Sequence, residues 1–202
     1  MSFSETDTLR LEDVTSDDVK LIRATGSVNM ELEVLSTGEI LTVFNQFRYY
    51  DERSQGVEVI QFSDGVVWGR ADIATHTATY GTSGNDDLTG STRAPDIIYG
   101  LEGNDTLDGG EGDDVLRGGG GADTLTGGAG ADTFVFAAGD AADVVTDFQD
   151  GFDLVQIAGP TFADLIVAQS GNDVDVTISS GDVIKLLNTS QLDITESDFV
   201  FV

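Results

Sequence analysis

The sequence contains no cysteine, a single histidine and only nine basic residues against 37 acidic ones. The lack of cysteine excludes disulfide bonds and thiolate chemistry, and one histidine excludes a zinc site built from several histidines. A formal net charge of −28 excludes a nucleic-acid-binding surface, which needs the opposite sign, and it opposes binding to an anionic membrane. No stretch approaches the roughly 18 apolar residues of a transmembrane helix, so no membrane span is expected.

Despite this charge, the chain is predicted to fold, because 40% of its residues are hydrophobic and they recur periodically. Fifteen of the 25 glycines fall between positions 81 and 135, and they divide the chain into three parts. We therefore expect a β unit at residues 1–78, a glycine-rich block at 79–135 and a C-terminal β cap at 136–202.

The first part shows the period-two alternation that is typical of half-buried strands. The segment VNMELEV at 28–34 alternates apolar and polar residues, and a turn separates it from the apolar run ILTVF at 40–44. A second run, VEVIQF at 57–62, is followed by Ser63-Asp64-Gly65 and then by VVW at 66–68. An Asp-Gly pair between two apolar runs predicts a hairpin, so we expect antiparallel strands here.

The third part resembles the first part at a constant offset of 146 residues. The matching segments are 7–11 with 153–157, 18–21 with 164–167, and the apolar residues of 28–32 with those of 174–178. After a shorter turn, GEILTVFN at 38–45 matches GDVIKLLN at 181–188. A shared strand pattern explains part of this similarity, but blocks at a single offset favour duplication. Duplication suggests that another glycine-rich block once preceded the first part and that the chain is the tail of a longer protein.

The middle part consists of six nine-residue units in register. They begin at residues 81, 91, 100, 109, 118 and 127, with Gly90 as one extra residue between the first two units. The sixth place of every unit is an aspartate: Asp86, Asp96, Asp105, Asp114, Asp123 and Asp132. The eighth place is a large apolar residue: Leu88, Ile98, Leu107, Leu116, Leu125 and Phe134. Glycines fill the first, second and fourth places of the best copies: Gly81, Gly84, Gly100, Gly103, Gly109, Gly110, Gly112, Gly118, Gly119, Gly121, Gly127, Gly128 and Gly130.

Each residue type of this pattern has a physical role. Glycines allow backbone angles that are closed to other residues, so the chain can turn tightly and direct carbonyl oxygens inward. Carbonyls beside carboxylates suit a hard cation with many oxygen ligands, which favours Ca²⁺ over Zn²⁺. The eighth-place side chains are buried only when units stack into a continuous column. A flexible glycine linker with solvated aspartates is the alternative, and it does not explain the apolar eighth place.

The units resemble the nonapeptide repeat GGxGxDxUx of the RTX (repeats-in-toxin, haemolysin-type calcium-binding) family. The resemblance implies a parallel β-roll with two nonapeptides per coil and ions held between turns two repeats apart. Three to four Ca²⁺ ions are expected, with the six aspartates and the glycines named above as the candidate metal site. The second unit departs from the pattern with Ser91, Thr92, Ala94 and Pro95, so calcium binding by its pair with the fourth unit is left open.

The flanks of the block also resemble this family. Residues 132–157, DTFVFAAGDAADVVTDFQDGFDLVQI, are similar to the segment that closes the roll in secreted RTX proteins. By this resemblance Asp143, Asp147 and Asp153 are candidate ligands of a terminal ion, with solvated loop carboxylates as the alternative. Residues 7–73 resemble the haemolysin-type calcium-binding related domain found between RTX blocks. The expected fold is all-β: a calcium-loaded parallel β-roll flanked by two antiparallel β units.

The last residues, DFVFV at 198–202, place an acidic residue before four apolar ones. This ending is similar to the uncleaved C-terminal signal of proteins exported by type I secretion, and it also fits a final strand packed on the cap. The first residues, MSFSETDTLRLED, lack the basic and apolar regions of a secretory signal peptide. We therefore predict a secreted, extracellular protein that folds on calcium and has the type I secretion apparatus as a partner.

Two other functions were weighed against this pattern, catalysis and polysaccharide binding. Catalysis is not expected in this chain, because His76 is its single histidine and no serine stands in a nucleophile-elbow context; any activity would belong to an upstream domain. The alternative is a calcium-dependent module that binds an extracellular polysaccharide or mediates adhesion. Phe47-Arg48-Tyr49-Tyr50 places three aromatic rings beside a cation, which suits stacking on sugars and pairing with uronates. A core role is the favoured interpretation for two of these rings and for Trp68.

Overall fold

The computed structural model describes residues 8–24, 30–43, 59–69, 73, 76–91, 94–159, 161–178 and 180–202. The chain divides into two compact units, Met1–Thr79 and Tyr80–Val202. Strands dominate both units, and among the described residues no helix has the length and hydropathy needed to cross a membrane. The three-part division at residues 78 and 135 stays a prediction.

The first unit is built from seven described strands. They are β1 (Thr8–Leu11), β2 (Val19–Ala24), β3 (Met30–Val34), β4 (Glu39–Val43), β5 (Val59–Phe62), β6 (Val67–Trp68) and β7 (Thr77–Tyr80), which ends at the unit boundary. Strands β2, β3 and β4 pair antiparallel, and a 3-10 helix at Ser16–Asp18 precedes β2. Strand β5 pairs antiparallel with β6 and parallel with β1.

The alternating runs of the first unit place their apolar side chains in one core. Met30, Leu32 and Val34 of β3 are buried, whereas the charged residues between them are only partly buried. The predicted hairpin at Asp64-Gly65 is confirmed, since it joins β5 to β6. Gly65 has a φ of +86°, a left-handed conformation that favours glycine.

The second unit begins with two stacks of parallel strands. They are β8 (Asp87–Thr89), β9 (Ile97–Glu102), β10 (Thr106–Glu111), β11 (Val115–Gly120), β12 (Thr124–Ala129), β13 (Thr133–Phe136), β14 (Ala142–Val145) and β15 (Leu154–Ile157). Among these eight strands, the even-numbered ones pair in one sheet and the odd-numbered ones in the other, so two successive nonapeptides form one coil. This alternation is the predicted parallel β-roll.

The register of both sheets aligns the eighth-place residues. In one sheet Leu88 pairs with Leu107, Leu107 with Leu125, and Leu125 with Val145. In the other sheet the aligned residues are Ile98, Leu116, Phe134 and Val155. All of these side chains are fully buried and belong to one core cluster, so the stacked column expected for a solenoid is present.

The C-terminal strands extend both stacks. They are β16 (Ile166–Ser170), β17 (Asp173–Thr177), β18 (Val183–Leu186) and β19 (Phe199–Phe201). Strands β16, β17 and β18 pair antiparallel, but β18 is parallel to β14 and β19 is parallel to β15. The flanks are therefore not purely antiparallel as expected. The partner of a strand decides its direction, and apolar alternation in a sequence carries no information on direction.

The two flanks repeat one order of elements. Strand β1, the 3-10 helix Ser16–Asp18, the antiparallel set β2–β4 and β5 correspond to β15, the 3-10 helix Phe162–Asp164, the set β16–β18 and β19. The outer strands of each set also pair alike, since β1 is parallel to β5 and β15 is parallel to β19. This shared topology supports the duplication inferred from the offset of 146 residues.

Candidate metal sites along the roll

In the central nonapeptides the first three places still pair with the neighbouring coil, and places four to six form the turn. Glycine is favoured where the backbone is left-handed, as at Gly110 in a second place (φ +104°) and Gly112 in a fourth place (φ +140°). In residues 138–146, Ala141 adopts φ +74° in the fourth place and Val145 is buried in the eighth place. This segment is a seventh unit that lacks most of the glycines and that the sequence pattern did not reveal.

The sixth-place aspartates form a ladder along each edge of the roll. The backbone N–H of Asp105 donates to Oδ1 of Asp123 at 2.8 Å, and that of Asp114 donates to Oδ1 of Asp132 at 2.9 Å. The same bond joins Asp86 to Asp105 and Asp96 to Asp114. The structure therefore brings together carboxylates of units two apart, which is the pairing that the RTX resemblance implied.

The ladder continues beyond the predicted block. The backbone N–H of Asp123 donates to Oδ1 of Asp143, and that of Asp132 donates to Oδ1 of Asp153, both at 3.0 Å. Both acceptors are buried, so they extend the two edges by one turn each. Asp147 lies differently, because its carboxylate accepts the N–H groups of Gly127 and Gly128. A ligand role for Asp143 stays a prediction.

The second carboxylate oxygens distinguish two classes of aspartate. Among the described residues, four of these Oδ2 atoms are buried and have no hydrogen-bond donor: those of Asp105, Asp114, Asp123 and Asp132. In the first two units the Oδ2 atom accepts hydrogen bonds from its own turn, from Thr82 for Asp86 and from Ser91 for Asp96. An anionic oxygen buried without a donor is costly, so the four belong to positions that favour a cation.

A backbone carbonyl oxygen lies near the Oδ2 atoms of Asp105 and Asp114. A Cβ atom on Gly100 would lie 2.3 Å from Asp105 Oδ2 and 2.6 Å from the carbonyl oxygen of Gly118. A Cβ atom on Gly109 would lie 2.3 Å from Asp114 Oδ2 and 2.7 Å from the carbonyl oxygen of Gly127. Only glycine in the first place lets a carboxylate and the carbonyl of the next coil converge in this way.

This donor set fits Ca²⁺, which takes six to eight oxygen ligands from carboxylates and carbonyls. No group of three or more acidic or histidine side chains that could hold a metal occurs in the part of the chain that the structure describes. A site on the roll would therefore combine few carboxylates with several carbonyls. Such a set suits a hard cation and excludes the thiolate and imidazole chemistry of zinc.

Burial raises the pKa values of the ladder carboxyls. It raises the pKa of Asp114 to about 7, with a smaller contribution from the neighbouring negative charges, while the N–H of Asp96 opposes the rise. Burial likewise raises the pKa of Asp123 to about 6 and that of Asp143 to about 7. The pKa of Asp105 is also raised by burial. Holding these groups charged costs free energy, which a bound cation would offset.

One residue of the turns was assigned wrongly from the sequence. Gly90, expected as an extra residue, takes the first place of the second unit, because its Cβ atom would lie 2.3 Å from the carbonyl oxygen of Gly109 and 2.8 Å from Asp96 Oδ2. The second unit therefore has ten residues, 90–99. The signal was present in the sequence, since Gly90 directly follows Thr89 in the ninth place of the first unit, just as Gly109 and Gly118 follow the ninth places of theirs.

Two predicted features lie away from the ladder. Trp68 is partly buried on the core of the first unit, edge-on to Phe62 with ring centroids 4.6 Å apart and stacked on His76 at 4.1 Å, as expected for a core residue. Phe199 is buried and belongs to β19, so the final strand of the cap is present. The aromatic segment at 47–50 lies outside the described residues.

Comparison with known families and structures agrees with this geometry. Residues 80–116, 92–125 and 108–141 each match the family described as the RTX calcium-binding nonapeptide repeat (4 copies). Residues 29–72 match the haemolysin-type calcium binding protein related domain. A search of curated proteins gave no match.

Solved structures with a similar fold include the extracellular lipase LipA from Serratia marcescens, with a TM-score of 0.54 and 17% sequence identity over 98% of this chain and 33% of the lipase. This chain thus spans about a third of the lipase. The AlgE6R2 subunit of the Azotobacter vinelandii mannuronan C5-epimerase has a TM-score of 0.51 and 28% identity over 61% of this chain and 92% of the subunit. Residues 80–141 of this chain are therefore RTX calcium-binding nonapeptide repeats, and residues 29–72 are similar to the haemolysin-type calcium binding protein related domain.

Proposed function

We propose that the RTX repeats of this chain act as a calcium-switched folding module, which remains open at low calcium and forms the β-roll when calcium is abundant. The observation that supports this proposal is the set of four buried Oδ2 atoms without a hydrogen-bond donor, at Asp105, Asp114, Asp123 and Asp132. The repeat module itself is non-catalytic, and any enzymatic activity of a longer protein would belong to another domain.

The proposed ligands are the four carboxylates and the carbonyl oxygens of the turns beside them, which gives four ions. Bound Ca²⁺ supplies positive charge between the coils. The chain itself aligns successive coils, because each Oδ1 atom accepts a backbone N–H of the preceding coil and the first-place glycine leaves room for the carbonyl of the next coil. Asp86 and Asp96 are less suited, since Thr82 and Ser91 already satisfy their Oδ2 atoms.

The magnitude of calcium linkage is sufficient for a switch. Sites of about 0.1 mM affinity in about 10 mM calcium stabilise the folded state by roughly 2.7 kcal/mol each. Four such sites supply on the order of 11 kcal/mol, which is comparable to the whole stability of a typical domain. Without calcium, buried like charges and the ordering entropy of glycine oppose the same fold.

The proposal includes secretion. Cytosolic calcium is too low to fill sites of this affinity, so the chain would stay unfolded for export by a type I apparatus and would fold outside the cell. The match to RTX repeats and the residues DFVFV at 198–202 support this role. Export of the full chain from cells with a type I apparatus should be lost when Phe199, Val200 and Phe201 are replaced by serine; equal export of both chains would remove the signal role.

A calcium titration followed by circular dichroism tests the switch directly. The full chain in a chelator should show little β signal from the roll, and calcium should restore the signal cooperatively. Magnesium at the same concentration should not, because its small octahedral shell fits a carbonyl-rich turn poorly. A roll that is fully formed in the chelator would overturn the proposal, as would equal folding by the two ions.

A polysaccharide-binding role is the second candidate. Its support is the similarity to the AlgE6R2 subunit of a mannuronan C5-epimerase, which covers 92% of that subunit. Mannuronan is a polyanion, and a chain with a formal net charge of −28 would repel it unless calcium bridged the two. Calcium-dependent retention on an alginate column, lost when Phe47, Tyr49 and Tyr50 are replaced by alanine, would support this role; failure to bind alginate in calcium would remove it.

A further inference from the structure

A cleft of about 470 Å³ lies on one edge of the roll, where the third, fifth and seventh units turn. Its walls include Tyr99, Leu101, Glu102, Arg117, Gly119 and Asp140. None of the sixth-place aspartates lines it, although Gly118, whose carbonyl oxygen lies near Asp105 Oδ2, does, so the cleft borders a proposed calcium site without containing its carboxylates. Its volume falls in the range of small-ligand sites, which is roughly 300–1,000 Å³.

Arg117 is the central polar group of this cleft. It occupies β11, in register with Tyr99 of β9, and its Nη2 atom lies 3.6 Å from Oδ1 of Asp140. That distance exceeds a direct hydrogen bond, so the ion pair is loose. The Nε atom is buried and meets no acceptor within the described parts of the chain. A guanidinium with an unused buried donor is under-satisfied, and such groups call for an explanation.

The other walls add acceptors and apolar surface. Asp140 is held in place, since its Oδ2 atom accepts the N–H of Ala137 at 2.7 Å. The Glu102 carboxylate lies against the bare backbone of Gly120, where a Cβ atom would be 2.7 Å from Oε2. Tyr99 is half-buried, and its ring stacks on that of Tyr80 with centroids 5.0 Å apart.

We infer that this cleft binds a neutral sugar ring, as one hexose unit of a glycan. Carboxylates accept hydrogen bonds from sugar hydroxyls, the guanidinium donates them, and the exposed side chain of Leu101 and the ring of Tyr99 contact the C–H face of the sugar. Two carboxylates against one guanidinium leave the cleft negative, which favours a neutral sugar over a sugar acid. The negative charge of the whole chain acts in the same direction.

This inference rests on the proposed function because three turns of the calcium-folded roll form the walls of the cleft. Its ligand, however, is distinct from calcium and from an acidic polysaccharide. The contact of a single ring predicts weak binding, with a Kd of about 1 mM, as is usual for a small ligand with few anchors. Affinity for a longer glycan would come from several units or copies acting together.

The test is an NMR titration of the full chain in saturating calcium, with its fold verified by circular dichroism. The probes are neutral trisaccharides of glucose, mannose and galactose, with a trimannuronate as the acidic comparison. At least one neutral probe should shift the Arg117 Nε–H signal, and Arg117→Gln should weaken its binding by about tenfold or more. The matched control is Lys185→Gln, which removes a cation that pairs with Asp175 in the C-terminal flank and should leave the affinity unchanged.

Arg117→Lys is the second variant, since it keeps the charge but loses the planar donors, and it should also weaken binding. A shift of the Arg117 signal by trimannuronate and by no neutral probe would overturn the inference. So would the absence of a shift with every probe, or an equal loss of affinity in Lys185→Gln. A chain that is folded in chelator and still binds the neutral sugar would remove the calcium switch and leave this inference standing.

Discussion

Asp114→Asn is expected to change the stability of the roll in opposite directions with and without calcium. Asp114 is 1% exposed, and its Oδ1 atom accepts the N–H of Asp96 at 2.8 Å. Its Oδ2 atom has no donor among the described residues. Asparagine keeps the Oδ1 acceptor and the shape of the side chain, but it removes the negative charge that we propose to bind the ion.

The two magnitudes follow from the site. In calcium at about a hundred times the Kd, loss of one ion costs roughly 2.7 kcal/mol, which for a domain of this size lowers the Tm by roughly 10 °C. In chelator at pH 8 the variant removes a buried charge. A pKa of about 7 for Asp114 against an ordinary 3.8 sets the cost of that charge at up to the order of 4 kcal/mol. The free energy of unfolding should therefore fall in calcium and rise in chelator.

Thermal unfolding followed by circular dichroism measures the loss of stability in calcium, and the residual β signal of the roll measures the gain in chelator. The matched control is Asp113→Asn, which removes the same charge from the preceding residue. Asp113 is exposed and its Oδ1 atom accepts the N–H of Ala131, so the control should change the Tm in calcium by less than about 2 °C and leave the residual signal in chelator unchanged. If Asp114→Asn lowered both the Tm in calcium and the residual signal in chelator, or if Asp113→Asn matched it, the reasoning about buried carboxylates would be refuted.

Three further predictions concern the same edges. Lowering the pH from 8 to 5 should shift the calcium midpoint to higher concentration, by up to about tenfold per pH unit, because protons compete for carboxyls such as Asp114 and Asp143 with pKa values of about 7. Gly109→Ala should destabilise the roll in calcium by about 4 kcal/mol or more, since its Cβ atom would clash with a carboxylate and a carbonyl of the site. Asp86→Asn should cost less than about 1.5 kcal/mol in calcium, because Thr82 already satisfies that oxygen.

Each of these has a distinct check. In chelator the pH effect reverses: raised pKa values mean that the folded chain binds more protons than the unfolded chain between about pH 4 and 7. The residual β signal of the roll in chelator should therefore fall as the pH rises through that window, and a rise would contradict the prediction. Gly84→Ala is the control for Gly109, because its Cβ atom would meet only Thr82 Oγ1 at 3.8 Å, and equal effects would count against the clash. Asp105→Asn is the comparison for Asp86 and should cost more, measured by calcium-dependent Tm.

Much of the roll could be predicted because its pattern is local. The sixth-place aspartates and eighth-place apolar residues mark every turn and strand of the six units, and the observed pairing of units two apart follows from two units per coil. The seventh unit was not visible, because Ala141 replaces the glycine that normally marks the fourth place. A residue at positive φ is tolerated there by its neighbours in the folded chain, which no local pattern records.

Strand direction and long-range hydrogen bonds could not be predicted from the sequence for a different reason. Alternating residues in 28–34 and 57–62 show which face of a strand is buried, but the partner of a strand decides its direction. The parallel pairing of β1 with β5 is therefore visible only in the fold. The carboxylate of Asp147 illustrates the same limit: its partners, Gly127 and Gly128, lie on the neighbouring coil.

The spacing of the ladder also constrains how the roll can change its length. Asp114 contacts Asp132, 18 residues ahead, because one full coil returns the chain to the same edge. Removing 18 residues leaves β18 and β19 joined to the sheets they now extend. Removing nine would exchange the sheets and present each terminal strand to the wrong partner. Viable length variants of this architecture therefore differ by whole coils, and a change by a single repeat requires a rebuilt ending.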